Sequence, residues 1–164
     1  MQKKVLYLVQ AAVIAALYIV FTYLAALMGL SSGVIQLRFS EALTILPYFC
    51  PAAVPGLFVG CLLSNLLTGC LLFDVICGSL ATLLGALGTR YLRRVKHGLL
   101  LAPLPPILAN TLIVPFVLMW VYGVPDAYWY LLCTVFAGEF LSCGVLGLLL
   151  GKMILPYRNK LFRS

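Results

Sequence analysis

The sequence predicts an all-α membrane protein, and two observations carry that prediction. Hydrophobic residues make up 64% of the 164 positions and charged residues 9%, with a mean hydropathy of +1.13. A chain this short has too much surface to hide so many apolar side chains from water, so its solvent is lipid. Ten of the eleven lysines and arginines fall in three short clusters between long apolar runs, a pattern of membrane topology rather than of a nucleic-acid surface. The net charge of +7 therefore does not imply a nucleic-acid partner.

The first element covers residues 5–28. It is too long for the apolar core of a signal peptide and long enough to cross about 30 Å of hydrocarbon, so it reads as a retained helix. Further spans at about 72–92, 99–122 and 128–150 follow from uninterrupted apolar runs. The stretch between residues 39 and 68 is broken by Pro47, Pro51 and Pro55, and a proline inside a helix removes a hydrogen bond and clashes with the preceding turn.

Charge decides how that stretch divides. Lys3 and Lys4 precede the first span, Arg90, Arg93, Arg94 and Lys96 follow the run ending near Leu92, and Lys152, Arg158, Lys160 and Arg163 follow the last. If all three clusters are cytoplasmic, an even number of crossings must separate each from the next. Two segments, about 38–49 and 52–68, satisfy that parity and predict a six-transmembrane-helix bundle with both termini cytoplasmic. The first of the two is roughly 18 Å long at 1.5 Å per residue, so it either tilts across or re-enters.

This topology sorts the polar residues. Gln36, Arg38, Ser40 and Glu41 lie at the outer end of the second element, with Thr44 a turn further on, and Asn65 and Asp74 flank the next outer turn. Asn110 and Glu139 fall near the middle of the last two helices. A charged side chain at a helix centre costs about 2.5–3.5 kcal/mol on insertion scales, so such groups face a cavity or one another. Arg38 and Glu41 are spaced to pair with each other at i, i+3. Glu139 has no cation one turn away and needs either a partner on another helix or a functional role. Asn110 fits an interhelical hydrogen bond equally well. Asn65 and Asp74 also suit a cap or turn, and Asp126, after "GVP", a turn.

Small residues recur at helical spacing in Gly56, Gly60 and Ser64, in Gly78, Ala81 and Gly85, and in Gly147 and Gly151, as close packing in lipid requires. Ala11, Ala12, Ala15 and Ala16 form two offset pairs on the first helix that either pack internally or face a partner. Tyr122, Tyr128, Trp129 and Tyr130 suit interfacial anchoring, and His97 a solvated basic loop. The six cysteines lie in or beside apolar segments without a CxxC pair or clustered histidines, so they read as packing residues, with no metal site or disulfide framework indicated. There is no GxxxxGK[ST] loop, no HExxH and no GxSxG, which argues against an enzyme and against any cofactor or ATP held by this chain.

The segments "QLRFSEALTILPYFCPAAVPGLFVGCLLSNLLTG", "DVICGSLATLLGALGTRYLRR", "LPPILANTLIVPFVL" and "FAGEFLSCGVLGLLLG" together resemble the QueT family. Its members are regarded as substrate-binding S-components of energy-coupling-factor (ECF) transporters, associated with uptake of queuosine precursors. The resemblance implies a single membrane-embedded substrate-binding domain over 1–164, in the bacterial cytoplasmic membrane, of the six-helix ECF S-component type. It implies a ligand pocket in the outer half, docking of first-helix small residues (Ala11, Ala12, Ala15, Ala16) on a transmembrane T-component, and two cytosolic ATPases that hydrolyse ATP for the complex. The implied ligand is a 7-deazaguanine such as 7-aminomethyl-7-deazaguanine. Its guanine-like edge offers adjacent N–H donors and its aminomethyl group a cation, each needing an acceptor. On that implication Glu41 and Glu139 supply the acceptors, Arg38 orients Glu41, and Asn65 and Asn110 add amide contacts. An S-component for another small vitamin, or a stand-alone secondary carrier, is the alternative, and the loop over residues 29–37 has a composition that permits closure over a ligand.

Overall fold

The computed structural model describes residues 2–30 and 37–162; residues 31–36, which include Gln36 and most of the expected closing loop, lie outside it. Among the described residues every regular element is helical. The order is α1 (Gln2–Leu27), a 3-10 segment (Phe39–Tyr48), α2 (Ala53–Leu67), α3 (Leu72–Leu92), a short α4 (Gly98–Leu101) and α5 (Leu104–Trp120). Then come α6 (Tyr128–Glu139), a π segment (Phe140–Leu146), α7 (Gly147–Ile154), a 3-10 turn (Leu155–Tyr157) and α8 (Arg158–Leu161).

Among the described residues four stretches are long and apolar enough to cross a bilayer: Lys3–Leu27, Leu72–Leu92, Gly98–Trp120 and Tyr128–Tyr157, with Ala53–Leu67 as a shorter apolar helix. Several helices stop at a glycine in left-handed conformation, which only a residue without Cβ adopts freely: Gly29 (φ 70°) after α1, Gly69 (φ 75°) after α2 and Gly123 (φ 64°) after α5. The last helical run continues past residue 150, the expected end, to Leu161.

Packing has the polarity of a protein dissolved in lipid. On α3 the buried positions are Val75 and the smaller Gly78, Ser79, Ala81, Thr82, Gly85, Ala86 and Thr89, whereas Ile76, Leu80, Leu84 and Leu87 are exposed. Small residues inside let backbones approach, and the leucines face the hydrocarbon. A Cβ on Gly85 would lie 2.6 Å from Pro106 Cα, so α3 and α5 touch backbone to backbone there. α1 and α2 meet the same way: a Cβ on Gly56 would lie 2.7 Å from the Ala11 carbonyl oxygen, and one on Gly60 2.8 Å from Tyr18 Cβ.

The 3-10 segment is the centre of the bundle. Ser40 through Pro47 are all buried, walled by α1, α3, α7 and the π segment. At about 2.0 Å per residue its ten residues rise roughly 20 Å. The expected short second helix is thus an element enclosed by protein rather than by lipid, which lets it carry an irregular backbone at that depth.

The two ends of the bundle differ in charge. Lys3, Arg90, Arg93 and Arg158 come from all three basic clusters yet line adjoining cavities at one end. The ends of α1, α2 and α5 and the start of α3 gather at the other, around Ala26, Asn65, Asp74 and Tyr122.

Candidate functional site

Two departures from α-helical geometry build the site. Runs of 3-10 helix beyond three or four residues are uncommon, and π turns cluster where a side chain must be re-aimed. Here the 3-10 segment carries Glu41, and the π segment starts directly after Glu139 and carries Ser142 and Cys143. Pro47 supplies no N–H to an α-helical ladder, and the Thr44 hydroxyl donates to the Glu41 carbonyl at 2.6 Å, satisfying an acceptor that an α-helix would use for its own backbone.

These segments bring two carboxylates together in the interior. Glu41 is 1% exposed and Glu139 8%. The Tyr18 hydroxyl donates to Glu41 Oε1, and Asn110 Nδ2 to Glu41 Oε2 at 3.5 Å. Cys143 sits between the acids: its thiol lies 3.2 Å from Glu139 Oε2, 3.9 Å from Glu41 Oε2 and 3.4 Å from the Glu41 carbonyl. One carboxylate oxygen from each glutamate and the Cys143 sulfur fall within 4.8 Å of one another. Such a set offers acceptors to a cation, organic or metallic, but among the described residues no lysine or arginine forms an ion pair with either acid. Two buried carboxyl groups this close, without a paired cation, are costly to keep, which makes this set the candidate site.

Above this set, toward the end of the bundle opposite the basic clusters, lies a cavity of about 340 Å³. Its walls include Thr22, Arg38, Asn65, Asp74, Leu118 and Tyr122. Arg38 stands three residues before Glu41, with its backbone N–H on Ser142 Oγ at 3.3 Å. Arg38 is in extended conformation immediately before the 3-10 segment, so the wall of the cavity and Glu41 are joined by three consecutive residues of the chain. Across the mouth the Tyr122 hydroxyl donates to Asp74 Oδ2 at 2.8 Å and accepts from the Leu71 N–H at 3.3 Å. Burial first, and then the bond to Asp74, pushes the Tyr122 hydroxyl up to about 12.

The residues singled out in the sequence fall into groups. Glu41, Glu139 and Asn110 converge directly, and Arg38 and Asn65 line the cavity above them. Arg38 makes no ion pair with Glu41, whose carboxylate accepts from Tyr18, Asn110 and the Cys143 thiol. The alanines divide: Ala11 and Ala15 pack on Gly56 and Gly60 of α2, whereas Ala12 and Ala16 are exposed. Sequence reasoning missed Tyr18, which reads as one more aromatic in an apolar run, and Cys143, which reads as packing. The spacing of Tyr18 with Ala11, Ile14 and Ala15, all on the inward face of α1, is the signal that could have found the former.

Residues 8–156 match the family described as QueT transporter. No curated protein and no solved structure matches the chain.

Proposed function

The chain belongs to the QueT transporter family, a transporter family and not an enzyme family, and on that premise we propose that it is the substrate-binding S-component of an ECF-type importer for a 7-deazaguanine. In this reading it is a multi-pass chain of the bacterial cytoplasmic membrane, one substrate-binding domain over 1–164, with six helical elements and both termini in the cytoplasm. The gathering of Lys3, Arg90, Arg93 and Arg158 at one end of the bundle supports that orientation, since positive charge stays on the cytoplasmic side.

The observation that carries the reading is the pair of buried carboxylates beneath a cavity of small-molecule size. Ligand sites run from about 300 to 1,000 Å³, apolar with a few placed polar groups, and this one has Leu118, Ala26 and Val124 beside Arg38, Asn65 and Asp74. A deazaguanine entering it presents two adjacent N–H donors and an ammonium. Glu41 and Glu139 accept them, displacing the hydrogen bonds that Asn110 and Cys143 now make. Asn65 and Asn110 add amide contacts, and Arg38, at the boundary between cavity and carboxylates, orders the approach to Glu41. In this reading delivery across the membrane is the work of a complex with a T-component and two ATPases that hydrolyse ATP.

Calorimetry with 7-aminomethyl-7-deazaguanine tests binding, with thiamine and riboflavin as competitors. In liposomes the purified chain should bind this ligand without transporting it, and ATP-driven uptake should appear only when T-component and ATPases are added. Gradient-driven uptake by the chain alone would make it a stand-alone carrier instead.

A further inference from the structure

The basic end of the bundle holds a second cavity, apart from the carboxylates. A cavity of about 520 Å³ is lined by Leu87, Arg90, Tyr91, Arg93 and Arg94 at the end of α3. Arg93 also borders two neighbouring cavities, one with Lys3 and one with Arg158. Arg90 is fixed at this rim because its Nη1 donates to the Pro47 carbonyl at 3.2 Å. Arg93 and Arg94 are exposed. Among the described residues no acidic side chain is near: Glu41 and Glu139 are in the interior, Asp74 lines the opposite cavity, and Asp126 follows α5 at that same opposite end. A concave cluster of guanidinium groups without a carboxylate is built for an anion, and guanidinium matches the oxygens of a phosphodiester in a bidentate fashion.

A second observation says what kind of anion. Ile76, Leu80, Leu84, Leu87 and Tyr91 are all exposed and recur every three or four residues, forming one apolar stripe along α3. The stripe ends inside the cavity, since Leu87 and Tyr91 are among its walls. A free phosphate would use the arginines and ignore the stripe, whereas a phospholipid would use both, with an acyl chain along the leucines and its headgroup at the arginines. We infer that the cavity formed by Arg90, Arg93 and Arg94 binds the phosphodiester headgroup of an anionic membrane phospholipid whose acyl chain lies on the exposed face of α3. Basic pockets beside transmembrane helices recognise anionic headgroups in this way.

The test is native mass spectrometry and thermal unfolding of the full chain in detergent, with added phosphatidylglycerol, phosphatidylcholine or inorganic phosphate. Phosphatidylglycerol should remain bound and raise the unfolding midpoint, and the other two should do neither. The R93Q/R94Q variant, altered only at exposed positions, should lose about thirtyfold in phosphatidylglycerol affinity, and R94Q alone about fivefold. K152Q/K160Q, which removes the same charge outside the cavity, should retain the lipid. Equal retention of phosphatidylcholine, equal stabilisation by inorganic phosphate, or equal loss in K152Q/K160Q would each overturn the site, as would full binding by R93Q/R94Q. Nothing in this outcome depends on whether a deazaguanine binds at the other end.

Discussion

Tyr18 on α1 donates its hydroxyl to Glu41 of the 3-10 segment, joining two side chains that are each 1% exposed. One turn further along α1, Thr22 Oγ1 lies 2.9 Å from Ser40 Oγ. α1 is otherwise the least enclosed of the four long apolar stretches, with 17% of its most apolar part buried against 44% in each of the other three. The helix with the least protein around it therefore holds the carboxylate at the centre of the site. Replacing Tyr18 with Phe removes the donor and leaves the ring, so Glu41 loses its anchor without a cavity being made. A hydrogen bond to a charged group contributes about 1.5–3 kcal/mol, so deazaguanine affinity should fall at least tenfold. Calorimetry decides, and an affinity equal to wild type would remove Tyr18 from the site.

Glu139→Gln separates a structural from a binding role. The amide is isosteric and relieves a buried acid of any charge, so the unfolding midpoint in detergent should hold or rise. Ligand binding should drop by more than tenfold, because an ammonium or N–H pair then faces a neutral acceptor. A variant that binds normally would take Glu139 out of the proposed contacts, and Glu41→Gln makes the same comparison for the other acid.

Cys143 bridges the two acids, and truncation should expose that role. Cys143→Ala removes the donor to Glu139 Oε2 at 3.2 Å and leaves a small void, whereas Cys143→Ser keeps a hydroxyl there. The alanine variant should lose about 1 kcal/mol of stability and the serine variant less than half of that. Equal losses in thermal melts would assign the sulfur to packing alone.

The fold was legible where local chemistry is decisive. The apolar runs expected to end near residues 28, 68 and 122 end within two residues of those positions, each followed by a glycine in left-handed conformation, Gly29, Gly69 or Gly123. The site was half legible: Arg38, Glu41, Asn65, Asn110 and Glu139 stand out because polar groups in lipid are costly. What escaped depends on long-range contact. Cys143 stands one turn after Glu139, a spacing that does bring those two together, but it meets Glu41 across 102 positions, which no local pattern announces. The 3-10 backbone over Phe39–Tyr48 likewise depends on enclosure by four other elements, which a local pattern of residues does not reveal. On α1, alanines occupy both faces, so their spacing alone leaves open which pair turns inward.

Packing between α1 and α2 gives a stability test of its own. A Cβ on Gly60 would stand 2.8 Å from Tyr18 Cβ and 3.1 Å from the Ala15 backbone, neither of which is a flexible side-chain end. Gly60→Ala should therefore push the helices apart and cost about 1–3 kcal/mol, read as a lower unfolding midpoint. Because Tyr18 would move with α1, ligand affinity should fall as well; a melt and a titration both unchanged would mean that the helices do not approach this closely.

The divided alanines make the docking proposal separable from folding. Ala15 is buried against Gly60, so Ala15→Leu should destabilise the isolated chain through overpacking, by about 1–3 kcal/mol. Ala12 and Ala16 are exposed on the other side of α1, among Val5, Leu8, Val9 and Val13. A leucine there meets only lipid in the isolated chain, so A12L/A16L should melt as wild type does, within about 0.5 kcal/mol, and bind ligand with the same affinity. If a T-component packs on this face, small residues set how closely its helices approach, and two added leucines should abolish ATP-driven uptake in liposomes containing the complete complex. Undiminished uptake by A12L/A16L would move the docking surface elsewhere on the bundle, while lost ligand binding would mean that this face of α1 belongs to the fold rather than to a partner.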